Sequence, residues 1–170
     1  MSDAAPLPQG SPFWRFSLQF YRLPKVADAC IALQEEAGVD VNLLLFLLWH
    51  AKQRRQLSTA DVAALESKIA PWRDLTVVPL RSVRRGLKSP PALLEASTAE
   101  TFRNRIKAVE LEAERLQQEA MYALAPLGAE ASDSVDAARA NIAAYQAMLG
   151  VPFPQAAAAT LLAAFAAMPA

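Results

Sequence analysis

Four basic side chains near the middle of the chain have the spacing of one helix face. Arg81, Arg84, Arg85 and Lys88 stand at positions i, i+3, i+4 and i+7. Guanidinium and ammonium groups bind carboxylates and phosphates. Because neighbouring cations repel one another, the pattern predicts an anion against this face. The candidates for this anion are the acidic faces of residues 110–119, an acidic protein partner, a phosphate ligand and nucleic acid.

The leading functional hypothesis is a non-catalytic interaction or regulatory module that binds another protein through this face. The cluster Lys52–Arg55 could extend the same surface. The residues predicted to bind the partner are Arg81, Arg84, Arg85, Lys88, Trp72 and Arg73.

The alternative is an enzyme or small-molecule-binding protein with a pocket between the first and third helices. Asn42 lies just inside an apolar helix, where an amide must find hydrogen-bond partners. His50 is the single histidine of the chain. We interpret both first as structural groups with hydrogen-bond partners. On the alternative hypothesis they line the pocket together with neighbouring aromatic side chains: Phe16, Tyr21, Asn42, Trp49 and His50.

The motifs of common enzyme classes do not occur in this sequence. A single histidine excludes two-histidine metal sites, and there is no CxxC pair, GxSxG elbow or phosphate-binding loop. We therefore expect no metal and no cofactor, and favour a protein without catalytic activity. Glu110 and Glu114 are four residues apart and are predicted to lie on a solvated face. Cys30 is predicted to be a buried, inert thiol.

Charge is balanced overall but divided unequally along the chain. The 17 Lys and Arg residues match 17 Asp and Glu. Residues 50–94 carry nine cations against three acids, and residues 95–136 carry four against nine. The two segments are expected to face each other or to be solvated. Zero net charge does not favour a dedicated nucleic-acid-binding protein, which stays a third hypothesis.

The composition predicts an all-α fold of seven to eight helices in a single bundle. The run Leu43–Trp49 is apolar all round, so the helix at about 41–54 should be the buried centre. We expect a disordered leader at 1–11, a helical domain at 12–128 and a C-terminal helical extension at 129–170 that packs on it. Ser11 should cap the first helix, and Ser58 with Asp61 should cap the fourth.

A long helix is predicted at about 98–127 from a heptad stripe that should pack inside the bundle. A homodimer through this stripe or the terminal helix is the alternative. The stripe consists of Phe102, Ile106, Val109, Ala113, Leu116, Ala120, Ala123 and Leu127.

Two prolines interrupt the middle of the chain. Pro71 should end the fourth helix or begin the next, and Pro79 should kink residues 72–88 or start a helix there. No apolar run reaches the roughly 20 residues of a membrane span, and the N-terminus lacks the pattern of a signal peptide. We expect a cytoplasmic protein.

Three blocks of the sequence resemble a family of small bacterial proteins of unknown function, found mainly in proteobacteria. The blocks are FWRFSLQFY (13–21), PKVADACIALQEEAGVDVNLLLFLLW (24–49) and APWRDLTVVPLRSVRRGLK (70–88). The resemblance covers roughly residues 12–125, and the tail from about 133 looks like an addition. It implies an all-helical fold and carries no activity or site residues.

Overall fold

The computed structural model describes residues 10–169, and the protein is a helical bundle over that range. The predicted all-α fold is confirmed. Most of the predicted leader, residues 1–9, lies outside the described residues. The helices are α1 Pro12–Tyr21, α2 Val26–Ala37, α3 Val41–Lys52, α4 Thr59–Trp72, α5 Val78–Gly86, α6 Ala96–Tyr122, α7 Ser134–Leu149 and α8 Gln155–Ala167.

Helix α3 forms the centre of the bundle, as its all-round hydrophobicity predicts. Asp40 begins it by accepting from the backbone N–H groups of Asn42 and Leu43 at 2.8 and 3.2 Å. Every residue from Asn42 to Ala51 is buried. Helix α1 covers one side of α3, where the Phe13 and Phe46 ring centroids are 4.9 Å apart. The position of α3 therefore follows from burial on all sides.

Helices α4 and α5 form one continuous helix through a π-helical turn at Arg73–Val77. Ser58 and Asp61 cap its start with the predicted reciprocal bonds. Pro71 neither ends nor begins a helix, so that prediction is wrong. A π turn is wider than an α turn and leaves room for the ring of Pro79 just after it. Seven continuous helices result in the described range, or eight if the π turn divides one.

The C-terminal helices share the core of the rest. Helix α7 packs along α3, and α8 packs against α2. A two-stranded antiparallel sheet pairs β1 Arg55–Gln56 with β2 Ala129–Glu130. Gly128, at φ +74°, leads into β2, where an added Cβ would collide with the Gln56 carbonyl. Helices α7 and α8 thus contribute to the single core of residues 10–169. No helix in that range is both long enough and apolar enough to cross a membrane.

Helix α6 is present as the predicted long helix, but most of its heptad stripe does not face inward; Ala113 is the buried member of the stripe. Phe102, Val109 and Leu116 are 48%, 52% and 44% exposed. The helix ends at Tyr122, before the predicted end at 127. Glu95 occupies its N-cap. Half of the buried residues on the inward face are polar, so hydrophobic periodicity selected the wrong face. It consists of Ala99, Glu110, Ala113, Gln117, Gln118 and Met121.

Candidate functional site

A cleft of about 1340 Å³ lies between α1, α2, α5 and α6, over the start of α3. Tyr21 and Trp14 line it from α1, and Gln34 lines it from α2. Arg81 and Gln118 line it from α5 and α6. We call this space the Gln118 cleft, defined by these five residues and the first turn of α3. It combines aromatic walls with a polar floor, the composition typical of ligand sites.

Paired charges form the wall between α5 and α6. Arg81 donates to Glu110 at 3.1 Å, to Glu114 at 2.8 Å and to Gln34 at 3.1 Å. Arg84 holds the other oxygen of Glu110. Half of the predicted basic face is therefore neutralised by the acidic segment of the same chain. Glu110, predicted to be solvated, is 5% exposed; that prediction is wrong, because α5 covers it.

The two carboxyl groups of this wall have pKa values displaced in opposite directions. Burial raises the pKa of Glu110, but hydrogen bonds and charges from Arg84 and Arg81 outweigh it and hold the pKa below its usual value. Burial dominates at Glu114 and raises its pKa, although Arg81 acts against it. A cleft-lining carboxyl with a raised pKa can exchange a proton with a bound molecule. Catalysis nevertheless stays an untested hypothesis.

A chain of side-chain amides forms the floor of the cleft. Gln118 Nε2 donates to Asn42 Oδ1 at 2.8 Å, and Asn42 Nδ2 donates to Gln117 Oε1 at 3.4 Å. Gln117 Nε2 then donates to Asp40 Oδ2 at 3.2 Å. Asn42 therefore has the structural partners that its burial requires, supplied by α6 and not by the adjacent turn or a neighbouring backbone.

The direction of this amide chain is fixed at one end. The Asp40 carboxylate, which also receives Arg73 at 3.3 Å, can only accept. Gln117 must therefore turn its NH₂ toward Asp40, which orients Asn42 and then Gln118 in the same sense. The chain ends in Gln118 Oε1, an acceptor with no partner among the described residues. Gln118 is 3% exposed, so this oxygen lacks bulk solvent as a partner.

Ser17 supplies a second unpartnered group to the same cleft. Its hydroxyl has no hydrogen-bond partner within residues 10–169, although the residue is 3% exposed. Both Ser17 and Gln118 line the cleft. Buried polar groups are almost always paired, and leaving one unpaired costs about 1–3 kcal/mol. Two such groups belong to residues that line the same cavity.

The remaining predicted partner-binding residues lie around the cleft mouth or beside it. Arg85 is largely exposed and lies 3.8 Å from Glu35, and Lys88 is exposed. Arg73 turns toward the floor, where it binds Glu66 at 2.8 Å as well as Asp40. Trp72 lies outside the cleft and donates from its indole to the Ala113 carbonyl at 3.0 Å. The six residues therefore do not form one free cationic surface.

The structure divides the predicted pocket between helices one and three. Asn42 and Tyr21 line the Gln118 cleft. Trp49 and His50 line a different cavity of about 530 Å³ at the far end of α3. Phe16 is buried in the core and stacks on Phe20, with ring centroids 5.6 Å apart. The five predicted residues are therefore not gathered in one pocket.

His50 is a buried structural histidine, in agreement with its first interpretation. Its Nδ1 lies 3.0 Å from the Phe46 carbonyl, and its Nε2 accepts from the Leu127 N–H at 3.1 Å. These contacts require the neutral ring with a proton on Nδ1. Burial, assisted by the charge of Arg55, lowers the pKa of His50, although the Phe46 bond acts the other way.

We expect acid to destabilise the wild type through His50. The unfolded chain binds the proton more readily than the folded chain. The stabilisation is therefore complete above about pH 6.5 and is lost as the pH falls through the lower folded pKa. Melting temperatures measured across this window should fall more steeply for the wild type than for His50→Gln. Equal slopes would contradict this assignment.

Cys30 agrees with its prediction, since it is fully buried and burial raises the pKa of its thiol to about 12. Sequence reasoning missed Ser17, Gln117 and Gln118. All three are ordinary helix-surface residue types. The hydrogen bonds of Gln117 and Gln118 depend on contacts between segments some 75 residues apart. No local pattern in the sequence marked them.

Comparison with known proteins identifies a family. No curated protein and no solved structure matches the chain significantly. A family model described as "Protein of unknown function (DUF2390)" matches residues 12–121, in agreement with the resemblance of the three sequence blocks. The matched range includes the amide floor, the paired charges and most of the cleft lining. The chain therefore belongs to the DUF2390 family of proteins of unknown function.

Proposed function

We propose that this protein is a binding protein that holds a polar small molecule in the Gln118 cleft. The observation that carries the proposal is the amide chain that ends in an unpartnered, buried acceptor. Its direction is imposed by Asp40, so Gln118 cannot turn its NH₂ toward the cavity without breaking the chain. The ligand must therefore present a hydrogen-bond donor to Gln118 Oε1.

Charges at the mouth favour an anionic group at the other end of the ligand. Arg22, Arg85, Lys88 and Lys107 line the cleft and are exposed. The Arg85–Glu35 contact is solvated on both sides and contributes little. These cations can bind a carboxylate or phosphate. A ligand with a donor at the floor and an anion at the mouth satisfies both ends. The open cleft exceeds the roughly 300–1000 Å³ of typical ligand sites, so the ligand fills part of it.

Native mass spectrometry with the low-molecular-weight fraction of the source cells tests the proposal. The wild type should gain a discrete mass that Gln118→Met loses and Gln19→Met retains. Gln19 is the matched control because it is exposed on α1 and does not line the cleft. Melting curves check that both variants fold. The proposal is wrong if the wild type gains no mass, or if the gain survives Gln118→Met.

Ser17→Ala should stabilise the ligand-free protein while weakening retention of the bound mass. Removing an unpaired buried hydroxyl is expected to raise the free energy of unfolding by about 1 kcal/mol. Ser67→Ala is the control for helix propensity, since its hydroxyl donates to the Ala63 carbonyl on an exposed face. Urea denaturation measures the free energy of unfolding of both variants. A loss of stability in Ser17→Ala alone would contradict an unpaired hydroxyl.

Binding of a protein partner is the second candidate, favoured by the surface beside the cleft. Leu75 and Val83 are 75% and 46% exposed, do not line the cleft and are close in sequence to Arg85 and Lys88. An apolar patch with cations beside it is a common feature of protein interfaces. The variant Arg85→Glu/Lys88→Glu should then abolish partner capture without changing the melting temperature. Both candidate functions are proposed for the cytoplasm, where Cys30 would remain reduced.

A further inference from the structure

The outer face of α6 carries a regular row of exposed apolar side chains. Phe102, Val109 and Leu116 follow one another at seven-residue intervals, and each is close to half exposed. Seven-residue spacing keeps side chains in line along a helix, which is the pattern by which two helices pack together. The row lies where a partner helix would fit.

We propose that a second copy of this chain covers the row, with the two α6 helices antiparallel about a two-fold axis at Val109. Phe102 and Leu116 stand seven residues on either side of Val109. In this register Phe102 of each copy lies opposite Leu116 of the other, and Val109 packs on its own symmetry mate. A row with this self-complementarity matches the isologous interface of a two-fold dimer.

Charges beside the row support the antiparallel direction. Arg105 precedes Val109 by four residues, and Glu112 follows it by three. Antiparallel pairing brings Arg105 of one copy to within one residue of Glu112 of the other, twice by symmetry. No ion pair to Arg105 occurs within residues 10–169. Glu112 is exposed and contacts Arg115 of its own helix. Parallel pairing would instead place like charges together.

The row and the Gln118 cleft lie on different sides of α6. At 100° per residue, Val109 is directed roughly 160° away from Leu111, which lines the cleft. Dimerisation therefore leaves the cleft open, and the two proposals are independent. The seam is about 21 Å long. A single seam of this length buries less area than a standard protein interface. The dimer should therefore be reversible and depend on protein concentration.

Cysteines introduced one at a time into the full chain test this arrangement. Val109→Cys places two thiols at the two-fold axis, and oxidation should give a covalent dimer. Leu111→Cys is the matched control, because Leu111 has the same 52% exposure on another face. The native Cys30 is fully buried and does not compete. The proposal is overturned if Val109→Cys stays monomeric, or if Leu111→Cys forms the dimer equally well.

Charge exchange tests the direction by sedimentation equilibrium over a range of concentrations. Arg105→Glu should raise the dissociation constant about tenfold, and adding Glu112→Arg to the same chain should restore it. Each single variant should keep the wild-type melting temperature at dilution, since both side chains are exposed. A monomer at every concentration overturns the proposal, and so does a dimer that is insensitive to both charges.

Discussion

Replacing Glu110 by glutamine should lower the free energy of unfolding by about 2–3 kcal/mol at neutral pH. Glu110 is 5% exposed and is the shared acceptor of Arg81 and Arg84. Glutamine keeps the shape but removes the charge, so Arg84 loses its counter-ion and Arg81 is left with Glu114. Removing one member of a buried ion pair costs about 3–5 kcal/mol, and the partial exposure of both arginines reduces that value.

The pH dependence separates this charge effect from a packing effect. The pKa of Glu110 is lower in the folded protein than in the unfolded chain. Its stabilisation is therefore complete above about pH 4.5 and is lost as the pH falls through the lower folded pKa. Urea denaturation of wild type and Glu110→Gln should converge in acid. A constant difference at every pH would show that packing, not charge, is responsible.

Glu112→Gln is the matched control for Glu110→Gln. Glu112 lies two residues away on the same helix and also binds an arginine, at 2.7 Å from Arg115. Its side chain is largely exposed, so solvent screens the pair. We expect no change in melting temperature. Contrasting results at positions 110 and 112 would confirm that burial gives the paired charges their effect.

Much of the fold could be predicted because hydrophobic patterns and helix caps are local. Seven apolar residues in succession at Leu43–Trp49 can be accommodated only inside a bundle. Ser11, Asp40 and Ser58 each cap the helix they precede. Opposite charges in two segments also indicated the pairing of Arg81 and Arg84 with acids, although the sequence left other anions open.

The Gln118 cleft could not be predicted because the residues that form it come together only in the tertiary structure. The inner face of α6 reads as a solvent face in sequence, since it carries Glu110, Gln117 and Gln118. These polar groups become compatible with burial through partners on α3 and α5. The apolar row at Val109, which a periodicity argument assigns to the core, is left outside. The polar face of this helix is therefore buried through its hydrogen-bond partners, and the apolar row is exposed.

Replacing Asn141 should have one of the largest effects on stability of any single polar substitution. Asn141 is fully buried on α7 and contacts three backbone groups. Its oxygen accepts from the Leu57 N–H at 2.7 Å, and its NH₂ donates to the carbonyls of Leu47 and Arg55 at 2.9 and 3.1 Å. Asn141→Leu leaves these groups without that partner, which should cost about 3 kcal/mol or more.

A near-isosteric substitution shows whether lost hydrogen bonds cause the loss of stability at Asn141. Asn141→Asp retains the acceptor for Leu57 but turns a carboxylate toward two carbonyl oxygens. Burial and these oxygens would raise the pKa of the new carboxyl, so the variant should gain stability as the pH falls and the group becomes a donor. Asn104→Asp, on the exposed face of α6, should lack this trend.

The outcome at Asn141 also shows how far the folding unit extends beyond the matched family region. Asn141 lies outside residues 12–121, yet it bonds to Leu47 within them. If helix α7 is integral to the fold, Asn141→Leu should lower the midpoint of a single cooperative urea transition monitored in α3 and α7. Separate transitions for the two helices would show instead that α7 and α8 are an added layer on an independently stable bundle.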